Sequence, residues 1–353
     1  MTTDEAAELR LRYERAVPAD GWWTDVTWDE PGWMDDTWLE LAGAYASTAA
    51  GRDHLRRDQA EAGQAGQDAA AARLSAALLR GETIRAEHEE SQRRALTRRP
   101  RAPRPQEIAG VAERFGADPD QVRRDHVISH VLAALSTLDG AASPDGDLVF
   151  IGGTALARTV LPTLRLSEDI DLLGYAPRRE MAAAVEHVLR RRLRRTHGVL
   201  TWAGPSLSDV ADTEAAVVVL GDVQVRLQLL PGASYPPWPR QVRALHQRYS
   251  DAPAASLTTL STSAFVASKL SAWHDRRSPR DLYDLWALGI SGCFDAEAAA
   301  LFARHGPGAA PTFTPPGESA WTTALAHQGR VRIDAAGAAR DVHRMWGRAS
   351  DRT

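Results

Sequence analysis

The 353-residue chain carries 42 Lys and Arg against 46 Asp and Glu, a formal net charge of −4, which excludes a global basic surface and leaves any nucleic-acid contact to local patches. Its 44% hydrophobic and 25% charged residues are those of an ordinary globular protein, long enough for two or three domains. A single cysteine, Cys293, excludes an internal disulfide and a cysteine-based metal cluster, and no apolar run reaches the roughly 20 residues of a membrane span. The acidic start, Met1 to Glu5, lacks the apolar core of a leader, so a cytoplasmic protein is expected.

Residues 1–105 differ in composition from the remainder. Five of the eleven tryptophans fall between Trp22 and Trp38, and a helix is expected over about Thr37 to Ser47. From about Gly51 to Arg99 the chain is rich in Ala, Gln, Arg and Glu with sparse apolar positions (Leu55, Leu74, Leu78, Leu79, Ile84). That pattern predicts a long exposed helix or helical hairpin rather than a packed core, interrupted by Gly63, Gly66 and Gly81. Arg98 to Pro105 has the prolines of a linker, and its arginines read as a solvated basic run or as an RNA contact.

Ile108 to Gly116 reads as a short helix stopped by glycine. Asp118-Pro119 then supplies an N-cap and a first-turn proline to a helix whose apolar face is Val122, Val127, Ile128, Val131, Leu132, Leu135 and Leu138. His126 and His130 stand four apart on it, a spacing that permits a metal pair. Without a His-Glu-x-x-His pattern they read as surface or packing histidines. Asp147 to Thr154 reads as a buried strand running into a tight Gly152-Gly153 turn, followed by a helix over Ala155 to Val160. Leu166 to Leu173 is a second strand, Arg179 to Arg195 a basic helix, and Val217 to Leu230 a hairpin around Gly221-Asp222. The segment Arg190 to Arg195 is a solvated helix face or a phosphate-backbone contact.

From Ser256 the chain turns helical. Ser278-Pro279-Arg280-Asp281 has the order of a helix start, and the tail from Asp295 reads as short helices split by the Gly/Pro stretch His305 to Gly317. The expected fold is therefore α+β. A mixed sheet flanked by helices fills residues 106–255, a helical region follows over 256–353, and a mostly helical extension precedes over 1–105.

Asp169 and Asp171, two apart on a strand, point to one face while Ile170 packs into the core. Two carboxylates this close raise each other's pKa, and a hard divalent cation relieves the repulsion; without cysteine or clustered histidine that cation is Mg²⁺ or Mn²⁺. Asp-x-Asp alone also fits a pair of solvent-facing turn residues. Gly152, Gly153 and Thr154 end a strand where backbone N–H groups suit phosphate, or form a plain strand-to-helix turn. Lys269 is the only lysine in the chain, on a helix whose core face is Phe265, Val266, Leu270 and Trp273. A compact ammonium suits end-on contact with phosphate, against the alternative of a snorkelling surface lysine. Asp281 reads either as a functional acid or as a capping-box acid behind Ser278, and Asp284 as a partner for Arg277 or Arg280.

The order Val149-Phe-Ile-Gly-Gly-Thr-Ala-Leu156, Arg165-Leu-Ser-Glu-Asp-Ile-Asp-Leu172, Lys269 and Arg280-Asp-Leu-Tyr-Asp-Leu285 resembles the AbiEii/AbiGii toxin family of the polymerase-beta-like nucleotidyltransferase superfamily, over about residues 106–290. The resemblance implies an NTP-dependent nucleotidyltransferase, the toxin of a toxin–antitoxin or phage-defence pair, with RNA (a tRNA 3′ end) as acceptor and a cognate antitoxin as partner. It implies that Gly153 and Thr154 hold nucleotide phosphates, that Asp169 and Asp171 bind the metal, and that Arg165 and Ser167 orient this pair or contact phosphate. Lys269 would face the triphosphate, and Asp281 is the acid of the last motif. The chain departs from the pattern in a long connection between Thr154 and Arg165. It also departs on the strand Val223 to Leu229, which offers Arg226 or Gln228 where a third carboxylate is expected, leaving Asp281 to supply a base from another direction. Two other classes of function share these residues. One is transfer to a small molecule of the aminoglycoside type; the other is a non-catalytic nucleotide- or protein-binding module that uses the N-terminal extension. Label transfer to RNA, to an amino sugar or to neither separates the three.

Overall fold

The structure, a computed structural model, describes residues 9–14, 33–97, 105–308 and 310–350, so the tryptophan-rich run up to residue 32 and the Arg/Pro run 98–104 lie outside the described residues. The N-terminal part comprises α1 (9–14), α2 (Trp33–Ala46), α3 (Ala49–Gln64) and α4 (Asp68–Thr97). The expected helical hairpin is present as α3 and α4, reversing through Gly66 at φ +73°. It is not exposed. Leu55 and Leu74 are fully buried with Ala42, Ala62, Ala70 and Ala77 against Tyr13, Trp38 and Tyr45. Sparse leucines suffice because alanine faces let helices approach closely while aromatic rings fill the remaining volume. Gly81 serves that approach rather than breaking α4, since a Cβ there would meet Ala46 of α2 at 2.7 Å. The bundle docks on the rest of the molecule through Arg12, which is buried and donates to the Ser291 carbonyl at 3.1 Å.

The remaining elements alternate around a sheet. After α5 (Pro105–Phe115) and α6 (Pro119–Leu135) come β1 (Leu148–Ile151), α7 (Gly152–Arg158), β2 (Asp169–Gly174) and α8 (Arg178–His197). Then follow β3 (Thr201–Trp202), β4 (Ala215–Leu220), β5 (Val223–Pro231), β6 (Arg240–Ala244) and β7 (Ser256–Leu260). The seven strands are ordered β3-β4-β5-β2-β1-β7-β6. β1 runs antiparallel to β2 and parallel to β7, and β2 runs parallel to β5, so the sheet is mixed as expected. β4 and β5 form the hairpin, with Gly221 at φ +62° supplying the positive φ its two-residue turn needs. The central position of β1 explains its unbroken Leu-Val-Phe-Ile run, since a strand covered on both faces has no polar side to alternate.

α6 begins as its sequence predicts: Asp118 accepts from the Asp120 N–H and Pro119 takes the first turn. It is buried on nearly every side, His126 and His130 included, so these histidines are interior rather than surface groups. Asp125 on the same helix accepts from buried Arg158 of α7 at 2.8 Å and from Tyr249 at 3.0 Å, tying α6 to the segment before β7. The C-terminal helices are α9 (Thr262–Arg276), α10 (Pro279–Ile290), α11 (Ala296–His305), α12 (Glu318–Leu325) and α13 (Ala335–Ser350). They share one continuous core with the sheet. α9 stops where Arg277 takes φ +50°, the one positive-φ residue other than glycine among the described residues, and α10 starts two residues later. This tight corner folds Asp281 and Asp284 back towards Lys269.

Candidate active site

Asp169 and Asp171 open β2, half-buried on one face of it, while Ile170 between them is fully buried. Gly152 makes room for this. It lies opposite the start of β2, where Ile151 pairs with Asp171, and a Cβ built on it overlaps the Asp171 carboxylate. Its φ of +81° is also one that side chains resist. Gly153 performs the same service for the approach segment: a Cβ there would meet Arg165 Nη2 at 3.0 Å and Ser167 Oγ at 3.2 Å. Thr154 is buried, and its hydroxyl donates to the Asp169 carbonyl, so this side chain braces β2 from α7. Burial pushes the Asp171 carboxyl up to about 6, and neighbouring Asp169 pushes the same way; Lys269, Arg276 and Arg226 offset only part of this. Gly152→Ala is expected to displace the Asp171 carboxylate and to lower any activity that depends on the acid pair at least about 100-fold, the scale of losing one preorganised transition-state contact, with near-native circular dichroism as the control.

Beside this pair lies a buried ionic network. Lys269 Nζ sits 3.0 Å from Asp281 Oδ1 and 2.7 Å from Asp284 Oδ2. Arg165 donates to both oxygens of Asp284, at 2.8 and 2.9 Å, and to Gln328 Oε1 at 2.7 Å. Arg276, largely exposed, forks onto Asp281 at 2.7 and 2.9 Å. Burial works against every charge here, and the partners prevail. Lys269 is raised by Asp284 and Asp281, Asp284 is lowered by Arg165 and Lys269, and Asp281 is held down at about 2 by Lys269 and Arg276. The capping role open to Asp281 is not taken, since Ser278 makes no side-chain cap and both Asp281 oxygens face cations. Asp284 pairs with Arg165 and Lys269 rather than with Arg277 or Arg280.

The lone lysine therefore points inward. Among the described residues no direct bond joins it to Asp169 or Asp171; it acts on Asp171 through space. Arg276 was not singled out from the sequence, yet it is the exposed cation of the network and also depresses Asp171. Gln328, between α12 and α13, accepts from Arg165, and its carbonyl receives the Leu166 N–H at 2.8 Å. No motif marked it. Glu168 turns to the other side, onto Arg124 at 3.2 Å and His327 at 3.1 Å, as strand alternation requires. On β5 the register sets Arg226 beside Asp169 and Gln228 beside Asp171. Arg226 is exposed and reaches to 3.8 Å of Asp169, so a cation stands where a third acid was expected.

Paired carboxylates on one sheet face, glycines that admit them, and fixed cations alongside suit the transfer of a charged phosphoryl group. The class these features define is a nucleotidyltransferase. A family model described as the nucleotidyl transferase AbiEii toxin of type IV toxin–antitoxin systems matches residues 134–341, and the chain belongs to that family. The match runs past the expected end near 290 and takes in the Gln328 segment.

Among solved structures the chain is similar to MenT4, a nucleotidyltransferase toxin from Mycobacterium tuberculosis H37Rv, at 20% identity and a TM-score of 0.54, covering 69% of this chain and 89% of that one. This likeness supports the mixed-sheet α+β fold. A putative nucleotidyltransferase from H. pylori matches at 14% identity and a TM-score of 0.40 over 65% of this chain and 95% of that one. No curated protein matches the chain. Among the described residues, no helix is long and apolar enough to cross a membrane.

Proposed function

We propose that this nucleotidyltransferase toxin moves an NMP group from an NTP to the 3′ end of an RNA, tRNA being the acceptor to test first, and that it requires Mg²⁺ or Mn²⁺. The observation that carries the metal reading is the pair Asp169 and Asp171, a half-buried all-oxygen donor set on one strand face with one carboxyl pushed up to about 6. Such a set fits a hard divalent cation. When bound, the cation neutralises charge on the transferring and leaving phosphates.

The chain's own residues supply the rest. In the reaction the acceptor hydroxyl oxygen forms a bond to the α-phosphorus while the bond to pyrophosphate breaks, and the hydroxyl proton is released to solvent. Asp169 and Asp171 would hold the cation, the two carboxylates supplying its protein ligands. Arg276 meets the departing phosphates from the exposed rim, joined by the Lys269 N–H that Asp281 and Asp284 leave over. Asp281, held at about 2, positions these two cations and is too weak a base to take the acceptor's proton. Gly152 and Gly153 let Asp171, Arg165 and Ser167 close on the site, and Thr154 braces Asp169. In this reading residues 1–105 are an extension and 106–260 the transferase core, because Ser256–Leu260, expected to begin the helical region, is strand β7 beside β1; 261–353 is the helical region that completes the site. The protein works in the cytoplasm, in phage defence, restrained by a cognate antitoxin.

The test is incubation with total tRNA, each labelled triphosphate and Mg²⁺, for wild type and Asp169→Asn. Label on tRNA with wild type alone is the expected result. Transfer to an amino sugar but to no RNA would move the acceptor to the small-molecule class, and transfer that persists in EDTA would remove the metal.

A further inference from the structure

A second constellation lies away from the carboxylate pair. His126 Nε2 and His130 Nε2 of α6 stand 3.2 Å apart. Both face one oxygen, Asp251 Oδ2, at 3.0 and 3.2 Å. These three atoms form a nearly equilateral triangle. Ligands about 2.0–2.1 Å from a tetrahedral zinc lie about 3.3 Å from one another, so the triangle already has the dimensions of one face of such a site. A third imidazole covers it. His197, the last residue of α8, brings a ring nitrogen within 4.8 Å of those of His126 and His130. Its Nδ1 bonds the Thr196 hydroxyl at 2.9 Å, which leaves Nε2 for an ion. Closing on the two α6 nitrogens to tetrahedral separation takes a movement of about 1.5 Å by a half-buried side chain at a helix end.

The surroundings suit a cation. With no ion, two N–H groups converging on one oxygen crowd their protons together, because the nitrogens stand only 3.2 Å apart, whereas a central cation uses all three lone pairs. The helix end that carries His197 adds the negative pole of α8. The ligand segment is also held firmly: Tyr249, two residues before Asp251, donates to Asp125 Oδ2 and packs its ring edge-on to His126. Three imidazoles and one carboxylate make a closed N₃O set without an open position, the form of structural rather than catalytic zinc.

We propose that His126, His130, His197 and Asp251 bind a structural Zn²⁺ ion that staples α6 to the end of α8 and to the segment before β7. The ion is separate from the Mg²⁺ or Mn²⁺ of the carboxylate pair.

The test uses the untagged full-length chain, stripped with chelator, titrated with ZnCl₂ in excess Mg²⁺ and assayed for bound metal after gel filtration. One zinc per chain is expected, with a rise in unfolding temperature. Co²⁺ in its place should give the intense visible bands of a four-coordinate nitrogen–oxygen site. His197→Ala and Asp251→Asn, which spare the buried α6 histidines, should each weaken zinc binding at least about ten-fold, more than loss of a mere supporting group. Asp169→Asn should bind zinc as wild type does. No stoichiometric uptake would overturn the proposal and leave a proton-sharing His–Asp network. So would uptake unchanged in both ligand variants, or uptake lost in Asp169→Asn.

Discussion

Asp171→Asn is expected to abolish nucleotidyl transfer, by about 10²–10³-fold or more, while making the metal-free protein more stable above pH 6. The two effects have one cause. In the folded chain, burial and Asp169 push the Asp171 carboxyl up to about 6, from an ordinary 3.8. A folded-state pKa above the unfolded one means that the folded protein holds the proton longer. Below about pH 3.8 both states are protonated and nothing is lost. As the pH rises from there to about 6 the unfolded state ionises first, and this contribution to stability drains away. The gap corresponds to at most about 3 kcal/mol at neutral pH. Asparagine has nothing to ionise, so its unfolding curve should lack this decline. Adding Mg²⁺ should stabilise the wild type and leave the variant unchanged. Urea midpoints at pH 4 and pH 7.5, with and without Mg²⁺, measure all of this. A wild type whose stability does not fall over that interval relative to the variant would show that the carboxyl is not held in this environment.

Lys269→Met should cost both activity and stability, and the two losses should separate. Nζ bridges Asp281 and Asp284, whose side chains are essentially inaccessible. Removing it leaves buried carboxylates short of counter-charge, a change that typically costs about 3–5 kcal/mol. Asp284 keeps Arg165 and Asp281 keeps Arg276, which sets the expectation at the lower end of that range. Lys269→Met combined with Asp284→Asn removes one of the two stranded charges and should recover part of the stability but none of the transfer. If the double variant regains activity with stability, Lys269 is only a structural ion. Arg276→Gln is the complementary case. It should cost less stability than Lys269→Met, because Asp281 keeps Lys269, and should raise the KM for NTP, because Arg276 faces the departing phosphates in the proposed reaction.

Much of the fold could be read from residues in order. The Leu148–Ile151 run, the Gly-Asp hairpin turn and the Asp118-Pro119 helix start each gave an element in its place, because these signals are local. The α3–α4 pair was legible as a hairpin but not as a packed one, since its core is alanine and aromatic rather than leucine-rich. For the same reason Gly81 reads in sequence as a helix breaker, although it marks a helix crossing.

The site divides similarly. Two acids at a spacing of two must share a strand face, and a lone lysine in an arginine-rich chain stands out, so the sequence alone marks Asp169, Asp171 and Lys269. Only tertiary structure decided their partners. Arg165 reaches Asp284 across 119 positions, Gln328 reaches Arg165 across 163, and His126 reaches Asp251 across 125. Separations of that size are set by sheet order and helix docking. A single sequence records local periodicity and carries no trace of which distant side chains the folded backbone brings within 3 Å.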